Sequence, residues 1–326
     1  SPLQKGRRRL VRQKRCRTCE MFRNSMRHLP SVTVMRRLST AATKSMPLET
    51  SLGANGIMTI TFANPKKLNA WTQPMMEGFF DCLEEAGSRS DVAGVVVTGE
   101  GKYYSAGVDL SNVMKPMLPS KLVMYLRDSN QKVFQTVIDF PKPIVAAVNG
   151  PALGAAVTTA TLMDSIVASE AASFSLPFAK LGVPPEGCSS ALFVEHMGEA
   201  TAERILGPEA WVPTAAQAED VGFPTLDEVV PGGNAECVAR AVEVCAARVE
   251  AGGGRRFDAK EATRLRRINA RESADLANAF VSPKFMSAMY DFNTKRKKTQ
   301  LATFFMVAKA TLPLWKPADV TPNPTN

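Results

Sequence analysis

Three short segments of this sequence carry residue types that can do chemistry. Tyr104-Ser105-Ala106-Gly107-Val108-Asp109 and Asn149-Gly150-Pro151-Ala152-Leu153-Gly154-Ala155-Ala156 each place small residues after an apolar run. A helix start at such a junction leaves backbone N–H groups without an intrahelical partner. Two such groups aimed at one point stabilise a developing oxyanion. Taken singly, each segment fits tight packing of a helix on a strand equally well. The third segment, Leu181-Gly182-Val183-Pro184-Pro185-Glu186-Gly187-Cys188-Ser189-Ser190, sets one carboxylate in an apolar loop between proline and glycine. Burial there would raise its proton affinity and make it a usable acid/base. By itself that segment also fits a partly exposed loop glutamate or a helix cap.

The elements around these segments predict an α/β fold, because strand, turn and helix alternate at irregular spacing. Ile57–Phe62 alternates with period two and reads as a strand, broken by Asn64-Pro65. Val92–Thr98 and Pro143–Asn149 read as buried strands, and Ser165–Ser169 and Phe174–Leu176 as shorter ones. Residues 74–86 set Met75, Met76, Phe79, Phe80, Leu83 and Ala86 at helical spacing. Thr214 and Gln217 have the spacing of a capping box. Beyond residue 235 no strand is evident: 236–250, 258–280 and 284–310 read as helices, the first two separated by Gly252-Gly253-Gly254. The expected organisation is a basic leader over 1–45, a core domain over 46–235 and a helical region over 236–326.

The net charge of +9 belongs to the leader. Residues 1–46 hold thirteen Lys/Arg against the single acid Glu20, whereas residues 47–326 hold 27 Lys/Arg against 30 Asp/Glu. The body is mildly acidic, which argues against a nucleic-acid partner. Residues 21–45 are rich in Arg, Ser and Thr and lack acids, the composition of a mitochondrial transit peptide, with a disordered basic arm as the other reading. The mitochondrial matrix is therefore the expected location and the peroxisome the alternative. The final Asn323-Pro324-Thr325-Asn326 differs from a Ser-Lys-Leu address. Cys16 and Cys19 form a CxxC with no second pair and only His28 and His196 in the chain, so no zinc site is expected. Cys82, Cys188, Cys237 and Cys245 read as buried free thiols of a reducing compartment. No apolar run is long enough to span a membrane.

Read together, NPKKLNA at 64–70, YYSAGVDL at 103–110, PKPIVAAVNGPALGAA at 141–156 and PEGCSS at 185–190 resemble the crotonase (enoyl-CoA hydratase/isomerase) superfamily. The resemblance runs from about residue 52 to about 250. PEGCSS resembles the peroxisomal-type 3,2-enoyl-CoA isomerases and their chromodomain-protein relatives. The resemblance implies a β-spiral core of ββα units, a helical C-terminal region and assembly as a homotrimer or dimer of trimers. It implies an oxyanion hole from the backbone N–H groups of Val108 and Ala155, where the family's Gly-Gly pair reads Gly154-Ala155. The two glutamates that hydratases of the family use are replaced here by Thr158 and Phe178, and the isomerase glutamate matches Glu186.

The implied reaction shifts the double bond of a 3-enoyl-CoA to the 2-position in fatty-acid β-oxidation. Glu186 takes a proton from C2 and returns one to C4. CoA is part of the substrate, and no metal or other cofactor is implied. The segments bordering the acyl-CoA thioester fall at Lys66, Lys67 and Ala70, at Ser105, Ala106, Gly107, Asp109 and Leu110, and at Gly154. Asp109 and Asp164 also fit family positions that are structural. The Lys295-Arg296-Lys297-Lys298 cluster fits either phosphate contact or a solvated helix face. A non-catalytic acyl-CoA-binding or interaction module, enoyl-CoA hydration and dienoyl-CoA isomerisation are the competing readings.

Overall fold

A computed structural model describes residues 47–110, 118–315 and 320–322. The expected leader, with Cys16, Cys19 and His28, lies outside the described residues, as does the chain's last segment 323–326.

The main sheet has six strands in the order β1-β2-β3-β4-β6-β8: β1 Leu48–Leu52, β2 Ile57–Phe62, β3 Gly94–Gly99, β4 Ile144–Val148, β6 Ser165–Ser169 and β8 Leu226–Val230. β1 and β2 form an antiparallel hairpin, and every other pairing in the sheet is parallel. A parallel sheet must be covered on both faces, and the central strands show it. Val95 and Val97, Ile144 and Ala146, and Ile166 and Ala168 point into the larger core, while Val96, Val145 and Val167 point the other way. A two-stranded parallel pair, β5 Ala152–Leu153 with β7 Phe174–Ser175, stands beside the sheet at the strand ends.

Helices cover both faces. α1 Gln73–Ser88 buries Met75, Phe79, Leu83 and Ala86, the stripe expected from its spacing. α2 Pro119–Ile138 follows, and α3 Ala155–Ala160 starts directly after β5. α4 Phe178–Leu181, α5 Ser189–Leu206 and α6 Ala215–Asp220 complete the central part, with the Thr214–Gln217 capping box closed in both directions. α7 Asn234–Glu250 presses Cys237, Ala241 and Cys245 onto Ile57, Val96, Val145 and Val167, so the first C-terminal helix covers the second face of the sheet.

α8 Ala259–Phe280 packs along α2. The single helix expected over 284–310 is two: α9 Pro283–Lys295 and α10 Thr299–Thr311. The break falls where Lys297 adopts a left-handed backbone with φ 56°. Four consecutive cations at Lys295–Lys298 repel one another, and no apolar side chain there favours continuation. β1 and β8 were not anticipated. Each is short, and their sequences LETSL and LDEVV set charged residues on partly exposed edges.

Cys188, Cys237 and Cys245 are free and buried, and Cys82 is half-buried. Asp164 is buried and structural: it accepts from Ile144 N–H at 2.9 Å and from Arg256 N–H at 2.7 Å, and pairs with Arg255 at 2.9 Å. Arg255 in turn donates to the carbonyls of Val137, Phe140 and Leu162, tying the chain after α7 to the base of α2. No described helix is long and apolar enough to cross a membrane.

Candidate active site

The first segment is pinned by a residue outside the expected site. Asn69, buried and with φ 53°, donates its amide to Glu100 O at 2.9 Å and Tyr103 O at 2.8 Å. Its own carbonyl accepts the Ser105 hydroxyl at 2.8 Å, and that hydroxyl accepts Gly107 N–H at 3.0 Å. Ala106 N–H reaches Leu68 O at 2.9 Å. The NPKKLNA turn therefore holds the segment that ends in Val108. Trp71 N–H donates to Gly107 O and Asp109 N–H to Trp71 O, at 2.8 and 3.0 Å. These two bonds form a parallel bridge between Trp71 and Val108. In that geometry the N–H of the bridged residue itself faces away from the partner strand.

The second segment runs beside the first. Ser105 bridges Ala152 in parallel, and Leu153 N–H donates to Ser105 O at 3.0 Å. Three residues beyond that bridge on each chain stand Val108 and Ala155. Gly107 sits in the crossing: with φ 71°, a Cβ built on it would lie 2.4 Å from Leu153 O and 3.8 Å from Ala155 N. Only glycine permits so close an approach. Gly154 N–H is taken by Ser175 O at 2.8 Å, and Ala155 is the first residue of α3. Neither Val108 N–H nor Ala155 N–H donates to a backbone or side-chain acceptor among the described residues. The helix start expected after Asp109 falls on residues 111–117, outside those described.

Glu186 stands in the loop between α4 and α5. Gly187 has φ 64°, and a Cβ on it would meet Phe134 at 2.7 Å and Thr158 at 2.8 Å. Thr158 is one turn along α3 from Ala155, whose carbonyl its hydroxyl approaches at 3.4 Å. The glutamate loop thus lies against the helix whose first residue is Ala155. Glu186 is buried, at 8% exposure, and among the described residues one neighbour holds its side chain: Asn130 of α2 donates its amide to Oε2 at 2.5 Å. Asn130 is one turn from Phe134, so one face of α2 both carries the amide and packs the loop. The amide is oriented in turn by the Ser273 hydroxyl of α8, which donates to Asn130 Oδ1 at 2.9 Å.

Burial pushes the Glu186 carboxyl up to about 7, with the Asn130 amide pulling it back and the charge of Glu272 adding to the rise. A carboxyl titrating near neutrality is suited to take a proton and give it back. Thr158 and Phe178, at the two positions where hydratases of the resembled family carry glutamates, are both buried, and neither supplies an ionisable group. Lys66 and Lys67 are exposed on the 3-10 turn Pro65–Lys67 that leads into Asn69, with Ala70 half-buried behind them. Leu110 packs against the main core. Lys295, Arg296, Lys297 and Lys298 are exposed at the α9–α10 break, with Arg296 lying 4.1 Å from the Phe292 ring centroid. No contact ties that cluster to the other site segments among the described residues.

Asn69, Asn130, Glu272 and Ser273 are the polar residues around this site that the sequence analysis did not single out. A signal existed for three of them. Asn130 falls on the apolar stripe of α2 between Leu126 and Phe134, and Glu272 and Ser273 fall on the buried stripe of α8 between Leu265 and Leu276. Polar residues on an apolar stripe are bonded to something.

Two backbone donors on neighbouring segments, with a buried carboxyl on the loop that packs against the helix starting at one of them, suit proton transfer next to a carbonyl whose oxygen becomes negative. Residues 53–296 match the profile described as enoyl-CoA hydratase/isomerase, and the chain belongs to that family. Over 156 residues it is 43% identical to enoyl-CoA delta isomerase 2 of Rattus norvegicus, covering 46% of this chain and 39% of the rat protein. Over 153 residues it is 40% identical to the peroxisomal enoyl-CoA delta isomerase 3 of Mus musculus, covering 47% of this chain and 48% of the mouse protein. The chain thus matches less than half the length of these relatives. A crystal structure of an enoyl-CoA hydratase/isomerase from Pseudoalteromonas atlantica T6c shares its fold, with a TM-score of 0.63 at 23% identity over 76% of this chain and 97% of that one.

Proposed function

We propose that this protein is a 3,2-enoyl-CoA isomerase in which Glu186 is the sole acid/base and Val108 and Ala155 form the oxyanion hole. One observation carries the reading: a buried carboxyl, lifted to about 7, is carried by the loop that packs on the helix beginning at Ala155. The positions of the two hydratase glutamates hold Thr158 and Phe178 instead.

In the proposed reaction the thioester oxygen of a 3-enoyl-CoA accepts from Val108 N–H and Ala155 N–H. Ionised Glu186 takes a proton from C2. The C2–H electron pair moves toward the thioester, giving a dienolate whose negative oxygen the two donors hold. The protonated carboxyl then delivers its proton to C4, leaving the double bond between C2 and C3. Each hole donor contributes about 10²–10³ in rate. Lys66 and Lys67, exposed beside the first segment, are proposed to meet the CoA phosphates. The relatives named delta isomerases support this reading over hydration, which needs a second group to deliver water.

The test is to follow isomerisation of 3-enoyl-CoAs of two chain lengths alongside hydration of 2-enoyl-CoA. Faster isomerisation is expected, and faster hydration would overturn the proposal. A homotrimer or dimer of trimers is proposed with it, supported by the exposed Tyr290, Phe304 and Val307 on α9 and α10. A monomer in sedimentation at micromolar concentration would count against that assembly. Delivery to the mitochondrial matrix is proposed on the composition of residues 21–45. A reporter carrying residues 1–45 that stays in the cytosol would refute it.

A further inference from the structure

The glutamate loop is gripped by a second buried carboxylate, contributed from far along the chain by α8. Glu272, 6% exposed, accepts Cys188 N–H through Oε2 at 2.6 Å and Ser190 N–H through Oε1 at 3.0 Å. These are the N–H groups that the start of α5 leaves without intrahelical partners. Between them, Ser189 folds back on the loop: its N–H and its hydroxyl both donate to Glu186 O, at 3.2 and 2.7 Å. Gly187 and Cys188 both adopt left-handed backbones, with φ 64° each. A turn with two consecutive left-handed residues, one of them not glycine, is held only where its surroundings over-determine it. Glu272 supplies that constraint at one end, and the packing of Gly187 on Phe134 and Thr158 supplies it at the other.

We propose that Glu272 is a positioning residue for Glu186: its carboxylate clamps the turn Glu186–Ser190 through two backbone N–H groups and so fixes the loop that carries the Glu186 carboxyl against α3. The inference rests on the function proposed above for the meaning of that placement, but the clamp itself does not.

The clamp has an electrostatic side as well. Among the described residues Glu272 accepts from the Cys188 and Ser190 N–H groups, whereas Glu186 accepts only from the Asn130 amide. Burial pushes the Glu272 carboxyl up to about 7 as well, and the donors from Ser190 and Cys188 pull it back. Its negative charge holds Glu186 in the protonated form to higher pH, which is the direction found. The other groups bearing on the pair are few. Arg271 lowers Glu272, Arg264 and Glu261 act on the Cys188 thiol with opposite signs, and α2 presents the neutral Asn130. Neither Arg271 nor Arg264 forms an ion pair with Glu272 among the described residues.

Glu272→Gln tests the clamp on the full chain. Gln offers one acceptor oxygen where the carboxylate offers two, so either Cys188 N–H or Ser190 N–H faces an NH₂ group. Three readouts are taken. The first is the titration of the Glu186 carboxyl, followed by ¹³C NMR of protein labelled at the glutamate carboxyl carbon and assigned by its loss in Glu186→Gln. The second is hydrogen exchange of the Cys188 and Ser190 amides. The third is kcat and KM on a 3-enoyl-CoA.

The clamp predicts that Glu186 titrates at lower pH than in wild type and that at least one of the two amides exchanges roughly tenfold faster. It also predicts that kcat falls by about 10–100-fold with KM nearly unchanged, the size of effect a misplacement of about 1 Å produces. An unshifted titration with unchanged exchange overturns the proposal. A shifted titration and faster exchange in a protein whose wild type has no isomerase activity would uphold the clamp and overturn the function. If Glu272→Gln fails to fold, Glu272→Asp serves, because its shorter side chain cannot span both N–H groups.

Discussion

Replacing Asn130 with alanine should move the pH dependence of the reaction in a direction that the geometry fixes. In the proposed reaction Glu186 must be ionised to accept the C2 proton, so kcat/KM of the wild type should climb with pH through about 7. The 2.5 Å bond from Asn130 stabilises the ionised form. A hydrogen bond to a charged group contributes about 1.5–3 kcal/mol, and one pH unit corresponds to about 1.4 kcal/mol. Removing the amide should therefore carry the acid limb upward by about one to two pH units. At pH 7 the ionised fraction then falls from about half to roughly 1–10%, and kcat/KM falls about 5–50-fold with it. Near pH 9 most of that loss should be recovered, because the carboxylate and the oxyanion donors are intact. The assay is a kcat/KM profile on a 3-enoyl-CoA between pH 5.5 and 9.5. A limb that stays at its wild-type position with kcat/KM unchanged would refute the assignment of the titrating base to Glu186. A loss equal at every pH would show that Asn130 places the carboxyl without tuning it. Glu272→Gln should shift the same limb the other way, so the pair of variants gives opposite displacements from one base.

Two further perturbations follow from contacts around the site. Gly187→Ala puts a Cβ 2.7–2.8 Å from Phe134 and Thr158 at φ 64°. Left-handed strain of about 1–2 kcal/mol and overpacking of about 1–3 kcal/mol should appear as lost stability in urea unfolding, with activity falling as the loop shifts; an unchanged midpoint would refute the packing. Asp164→Ala leaves the side chain of Arg255, only 8% exposed, without its acid and should lower stability by about 3–5 kcal/mol. Wild-type stability in that variant would show that the carbonyls of Val137, Phe140 and Leu162 suffice for the guanidinium.

The central sheet was legible in the sequence because its strands are buried on both faces and read as unbroken apolar runs, as in VVV at 95–97 and IVAAV at 144–148. β1 and β8 carry charges and lie at sheet edges, where only the neighbouring strand distinguishes them from loops. The division of 284–310 into two helices turned on one left-handed residue in a run of cations, which no periodicity announces. At the site, the residues proposed to carry the chemistry lie in compact motifs that type and spacing single out. The residues that brace the site show only as polar side chains on apolar helix stripes, which does not name their partners. Glu272 is 86 positions from Glu186, and Asn130 is 56 positions from it in the other direction. Each looks like an ordinary helical polar residue until α8 packs on α2 and closes around the glutamate loop.

Glu186→Gln bears most directly on the central claim. Gln is nearly isosteric, keeps its place beside Asn130, and cannot take a proton from C2. With the full chain and a 3-enoyl-CoA substrate, turnover should fall by at least about 10²–10⁴, while folding and affinity for CoA thioesters stay at wild-type values. Wild-type turnover in the Glu186→Gln variant would contradict the single-glutamate mechanism.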